Sequence, residues 1–442
     1  MRKLSTLMVF MAIFVIPLFS ICACSMNSPD APFINEPDNV LDDAATDVPL
    51  AAMEPETACT QAVVEEEYPS EEQAEETVVS SQFLFDIMNA KREIFGKILD
   101  DPINYEVQIL LTEIGRDKTG QPYFLGFEYG LDAKKYFYPA SAVKMAIAAL
   151  TLQKINSLQN ANRECALNVA ASKNGAVGRR GLTIETYIKR MIIYSDNISY
   201  NRLYDFLGQE YINESLHAMG YKDVQIVRRF DSPTSAAGDR VNYACELRDG
   251  GGDLIYSQPS LTNENIYTLR ERDDMTGLLR GKAQMTSKGR IAAPKEFYDY
   301  NYMSLEVMQQ ILKALVFPQY VEETARFNIL EDDREFLLNC MLGESTQHKY
   351  FLYGGTGRGY DYLEIYNKTG TSYGNIIDNA YIRDTMNNIE FMLTAVIYVN
   401  PNGVIGDDAY DYERTGIPFL QELGLAVYNH YLEKKYSRSK RW

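Results

Sequence analysis

Histidine and cysteine are scarce in this 442-residue chain, and their scarcity narrows the chemistry. The three histidines, His217, His348 and His430, have no second His or Cys at metal-ligand spacing, so a zinc hydrolase is not expected and no metal or other cofactor is called for. Of six cysteines, Cys22, Cys24 and Cys59 precede the region that reads as folded, leaving Cys165, Cys245 and Cys340. An odd number at such distant positions makes no disulfide framework and reads as free, buried thiols. Lys/Arg runs are also missing from a chain of net charge −18, which argues against a nucleic-acid partner.

Residues 1–23 carry Arg2 and Lys3 followed by the apolar run Leu7 to Ile21, which fits a signal peptide and is short for a spanning helix. The segment closes on Ile21-Cys22-Ala23-Cys24, which resembles a bacterial lipobox with Cys24 as the lipidated residue. This implies an exported, membrane-anchored lipoprotein on the periplasmic or cell-surface side. Residues 24–80 hold 15 Asp and Glu and no Lys or Arg among Pro, Ala, Ser and Thr, and read as a disordered acidic tether. The tether carries most of the charge, leaving −5 for Ser81 to Trp442. Its repulsion from anionic lipid would hold the domain off the membrane.

Residues 81–442 read as one domain. Phe83, Phe85, Ile87, Met88, Ile94, Phe95 and Ile98 form a helical face ending near Asp101-Pro102. Two strands follow, Tyr105 to Glu113 and Pro122 to Leu131, joined by a polar turn over Lys118-Thr119-Gly120. Helices are expected from Ser141 to about Ile155, from Leu182 to Tyr194, from Ile198 to Gly208 and from Gln209 to Gly220. Residues of about 250–344 mix loop and helix signals and read as an insertion, with Met303 to Leu315 its best helix. Tyr362 to Lys368, Asn379 to Arg383 and Glu390 to Asn400 are strand-like, and Ile417 to Tyr436 makes a last helix. This order predicts an α+β fold: an antiparallel sheet flanked by terminal helices, with an inserted all-helical lobe.

The chain is organised around Tyr138-Pro139-Ala140-Ser141-Ala142-Val143-Lys144 and the apolar helix that follows. Pro139 breaks the approach, so Ser141 stands at a helix start, facing unpaired backbone N–H groups that suit a developing oxyanion. Lys144 projects from the same face one turn on; walled in by apolar residues, its amine loses basicity and can take a serine's proton. Ser-x-x-Lys alone is weak, and Ser437 with Lys440 repeats it. Its weight comes from order: Ser141 to Lys144, then Ser195-Asp196-Asn197 between two helices, then Lys368-Thr369-Gly370 in a late strand. Lys118-Thr119-Gly120 precedes the serine in a turn and is set aside.

This set and order resemble the penicillin-recognising serine hydrolases, the superfamily of class A β-lactamases and penicillin-binding proteins. The resemblance covers residues 81–442 apart from the insertion. It implies that Ser141 attacks a lactam or peptide carbonyl to form an acyl-enzyme, with Lys144 as candidate base. Ser195 would relay the proton to the leaving nitrogen, and Asn197 would bind Lys144 and the substrate amide. Lys368 and Thr369 would hold the substrate carboxylate beside Gly370, and the backbone N–H groups of Ser141 and Thr371 would form the oxyanion hole.

The chain departs from class A in lacking a Glu-x-x-Leu-Asn loop to activate the deacylating water. Asp231, in Arg229-Phe230-Asp231-Ser232-Pro233, stands at the matching distance, with Glu246 as a weaker substitute and pairing of Asp231 to Arg228 or Arg229 as the alternative. Aspartate is one methylene shorter, and a shortfall of about 1 Å costs on the order of a hundredfold in rate. Three functions are therefore expected in order: a β-lactamase-like hydrolase of the kind tied to antibiotic resistance, a penicillin-binding-type peptidase or esterase of the cell envelope, and a non-catalytic ligand-binding lipoprotein. Oligomeric state is not legible.

Overall fold

The computed structural model describes residues 77–78, 82–343, 348–354 and 362–439, all within one compact unit, Ser70–Trp442. The expected signal segment 1–23, Cys24 and nearly all of the tether 24–80 lie outside the described residues.

The first helical face is two helices, α1 (Gln82–Asn89) and α2 (Arg92–Leu99), because Lys91 leaves helical geometry at φ −123° and ψ 51°. Leu84, Met88, Phe95 and Ile98 are buried from them. Strands β1 (Gln108–Arg116) and β2 (Pro122–Tyr129) form the expected hairpin. Its turn is held by the Asp117 carboxylate, which accepts from the Thr119 and Gln121 amides at 2.8 and 2.9 Å. Lys118-Thr119-Gly120 is thus a turn.

Helices α3 (Lys144–Ser157), α4 (Ile184–Ile193), α5 (Asn197–Leu207) and α6 (Gln209–Ala218) build a lobe on one face of the sheet. Residues Met145 to Leu150 of α3 are buried all round, which is why the helix shows no polar face. The lobe also carries a four-stranded sheet in the order Leu182–Thr183, Ala166–Val169, Cys245–Arg248 and Leu254–Gln258. Cys165, Cys245 and Cys340 are free and buried, as expected.

The stretch expected as an insertion divides in two. Up to Met303 it forms short strands and turns, whereas α7 (Leu305–Val316) and α8 (Glu331–Leu342) enter the core. Gln309 of α7 donates to the Leu110 carbonyl at 2.9 Å and to the Thr394 hydroxyl at 3.0 Å, and accepts from the Thr112 hydroxyl at 2.7 Å. Such a fully bonded buried amide pins the helix to the sheet.

The chain ends in β3 (Leu363–Ser372), β4 (Asn375–Asp384), β5 (Ile389–Tyr398) and α9 (Ile417–Ser439). The main sheet has six strands in the order Thr77–Val78, β2, β1, β5, β4, β3, antiparallel except for the first pair. Both its faces are covered. On β4 and β5, Ile377, Tyr381, Met392 and Val396 face the lobe, while Ile376, Ala380, Leu393, Ala395 and Ile397 face the terminal helices. That alternation follows from the two-residue pleat. On α9, Phe419, Leu420, Leu423, Ala426, Val427 and Tyr431 are all buried against the second face.

Candidate active site

A tight 3₁₀ turn, Ala140–Val143, leads straight into α3 and carries Ser141 at the meeting of lobe and sheet. Ala140 takes a left-handed φ of 46°, strain of the kind found where a side chain is held at a fixed attitude. Gly370 of β3 runs directly against this turn: a Cβ there would lie 2.5 Å from the Pro139 oxygen, 3.0 Å from the Ala142 nitrogen and 3.3 Å from the Ser141 nitrogen. A residue without a side chain is what lets the strand approach Ser141.

Lys144 is fully buried, and its amine meets three acceptors, the Ser195 carbonyl at 2.6 Å, the Ser195 hydroxyl at 3.2 Å and Asn197 Oδ1 at 2.5 Å. Burial foremost, and then the nearby Lys368 charge, push its pKa well below the usual lysine value. Lys368, also buried, donates to the same Ser195 hydroxyl at 3.2 Å and to the Thr369 carbonyl at 3.1 Å. Burial brings its pKa down to about 8, against the opposing pull of Asp378. One hydroxyl thus sits between two amines. If both amines donate, its lone pairs are occupied and its own proton is free to point elsewhere.

Ser195 has a left-handed φ of 56° and Asp196 caps α5 by accepting from the Ser199 amide at 2.9 Å. Asn197 follows at the first helical position with both ends of its amide engaged: Oδ1 receives Lys144, and Nδ2 donates one hydrogen to Asp231 Oδ2 at 2.6 Å, its second N–H being left for a substrate amide. Asp231 is exposed and left-handed at φ 48°. It is not paired to its arginine neighbours. Arg228 binds Asp239 at 2.5 Å, and Arg229 binds Asp205 and Asp239 in the interior.

The side chains of Lys144, Ser195, Asn197, Asp231 and Lys368 are therefore joined in one hydrogen-bonded chain, and Gly370 sets the strand that carries Lys368 and Thr369 against the backbone of Ser141. Thr371 lies exposed at the end of the same strand, its hydroxyl 3.1 Å from that of Tyr350. Glu246 is elsewhere, paired with Arg248 at 2.6 Å in the small sheet opposite Asn168.

Three supports were missed in the sequence. Asn201, one turn after Asn197, clamps Phe230 by donating to its carbonyl at 2.8 Å and accepting from its amide at 2.9 Å, which fixes the residue before Asp231. The i, i+4 spacing of two asparagines on α5 was the available signal. Asn301 accepts from the Val227 and Arg228 amides at 2.8 Å each, across 74 and 73 residues, with no local signal. Asp378, opposite Thr369 on β4, accepts from the Tyr350 and Phe351 amides and from Asn367, and burial raises it to about 6.

Fold and constellation together define a β-lactamase-like hydrolase. A family model, Beta-lactamase2, described as the beta-lactamase enzyme family, matches residues 124–431, well over half the chain, and the chain belongs to that family. No curated protein matches it significantly. Similar solved structures include a beta lactamase from Xanthomonas campestris pv. campestris, at 14% identity, TM-score 0.43, and 78% and 97% coverage of this chain and that one. A beta-lactamase from Desulfarculus baarsii has 14% identity, TM-score 0.45, and 79% and 98% coverage. A class A beta-lactamase from Clostridium kluyveri has 14% identity, TM-score 0.44, and 76% and 98% coverage.

Proposed function

We propose that the protein is a serine hydrolase that opens a β-lactam or related amide through an acyl-enzyme on Ser141. The carrying observation is the buried Lys144 amine, of lowered basicity, on the hydroxyl of Ser195 that Lys368 also reaches.

Neutral Lys144 takes the Ser141 proton as Oγ bonds to the substrate carbonyl carbon, and the backbone N–H groups of Ser141 and Thr371 receive the oxyanion. The C–N bond breaks as the proton passes from Lys144 through Ser195 to the leaving nitrogen. Lys368 and Thr369 hold the substrate carboxylate at the lobe–sheet seam. Asp231, oriented by Asn197, then takes a proton from water, whose oxygen attacks the acyl carbon. Ser141 leaves, regains its proton, and frees the acid.

The short, exposed Asp231 favours slow deacylation, so a penicillin-binding-type peptidase or esterase is the second reading. Mass spectrometry of the protein mixed with a penicillin and a cephalosporin, from seconds to hours, separates them. A transient adduct with product supports β-lactamase action, and a lasting adduct the second reading. Ser141→Ala removes the adduct; labelling that persists in that variant refutes the assignment. We also propose that Cys24 is lipidated and anchors the protein to the cell envelope; unchanged membrane fractionation of Cys24→Ala would refute it.

A further inference from the structure

Beside Ser141 lies an aromatic wall that the reaction above leaves unused. Tyr138, three residues before Ser141, meets Tyr373, two residues past Thr371, edge to face at a ring-centroid distance of 5.0 Å. The short-strand region before Met303 adds Phe297, 5.3 Å from Tyr373, and Tyr300, 6.2 Å from Tyr138. The wall therefore joins the approach to Ser141, the end of β3 and the loop of Asp231, since the Arg228 guanidinium stacks 5.0 Å over Tyr300.

The half-buried Lys295 sits in this wall, its amine 4.8 Å from the Tyr300 ring centre, 5.6 Å from Tyr373 and 5.7 Å from Phe297. Three ring faces hold the amine in place. Its backbone is fixed by pairing with Arg280. The acids next to it along the chain are turned away, since Glu296 and Asp299 both bind Arg270, at 3.1 and 3.3 Å. Arg228 is already paired with Asp239. Among the described residues no carboxylate forms an ion pair with Lys295. It is a cation held among three rings with no ion-paired carboxylate among the described residues, at the edge of the proposed acyl-transfer site.

We infer that Lys295, with Tyr300 and Tyr373, recognises a carboxylate on an aryl-bearing acyl side chain of the substrate. The inference rests on the acyl-serine reading for what occupies the neighbouring centre. The aryl group stacks on the uncovered part of the half-buried Tyr300 and Tyr373 rings, and the second carboxylate pairs with the Lys295 amine. Asp231 and Asp408 lie within electrostatic reach of Tyr373, so an anion here depends on the lysine for its welcome.

The test uses benzylpenicillin and its α-carboxybenzyl analogue, which differ by one carboxylate. Dissociation constants for both are measured by calorimetry on the Ser141→Ala protein, alone and with Lys295→Met or Lys295→Arg. The preference for the carboxylated compound is expected to fall about tenfold in Lys295→Met and to recover in Lys295→Arg, where charge is kept. A preference within about twofold of the parent in Lys295→Met, or no detectable binding of the carboxylated compound to the parent, overturns the inference. Acylation is followed separately by intact mass with Ser141 present. Absence of an adduct with the preference intact would sink the acyl-serine reading and leave the role of Lys295 standing.

Discussion

Replacing Gly370 by alanine tests whether the approach of β3 to the nucleophile turn sets the rate. The new methyl carbon would stand 2.5 Å from the Pro139 oxygen and 3.0 Å from the Ala142 nitrogen, both backbone atoms that cannot swing aside. Relief to ordinary contact requires strand and turn to part by roughly 0.5–1 Å, and a displacement of that size at a reacting centre costs on the order of a hundredfold. Overpacking of this kind costs about 1–3 kcal/mol in stability, so the domain stays folded with Tm lowered by a few degrees. Stopped-flow acylation of Ser141 by a chromogenic cephalosporin gives the rate, and calorimetry gives Tm. Acylation within about threefold of the parent in the folded variant, whatever its Tm, would refute the idea that the strand's closeness to the turn positions the oxyanion donors and Lys368.

Acylation should rise with pH as Lys144 loses its proton and KM should rise above about pH 8 as Lys368 loses the charge that holds the carboxylate. Lys368→Ala removes a neighbouring positive charge, so the acid limb should move to higher pH in single-turnover profiles; an unmoved limb would contradict the coupling. Asp231→Asn should lengthen the life of the Ser141 adduct, and Asp231→Glu, with one more methylene, should shorten it, both read by intact mass over time. Equal lifetimes in the three proteins would exclude Asp231 as the base. Asn201→Ala deletes two hydrogen bonds to Phe230 and should cost about 1–3 kcal/mol in urea unfolding while slowing deacylation more than acylation. Loss of stability with both steps unchanged would confine Asn201 to a structural role.

Local chemistry made much of the protein legible from its residues. The helix start at Ser141, the link between two helices at Ser195-Asp196-Asn197, and the Lys368 strand are each written over a few neighbouring positions, because turns, caps and short periodicities act at short range. So were the buried face of α9 and the free thiols. The break between α1 and α2 was not, since the apolar spacing runs through Lys91 and only the backbone leaves the helix.

What the sequence by itself determined is an α+β chain bearing two serines, two lysines and an asparagine in a particular order. The tertiary structure decided what those groups do to one another. The loss of basicity at Lys144 needs burial and Lys368, 224 positions away in the chain. Asp231 turns to Asn197 and not to its arginine neighbours because Asp205 and Asp239 have already taken both guanidinium groups. Lys295 reaches Tyr373, just past the strand that carries Lys368, only because Phe297, Tyr300 and Tyr373 pack into one wall. Charge, burial and contact fall with distance in space and are indifferent to separation along the chain, so the apolar run around Lys144 announced its burial, while the contribution of Lys368, the turn of Asp231 and the seat of Lys295 had no local trace.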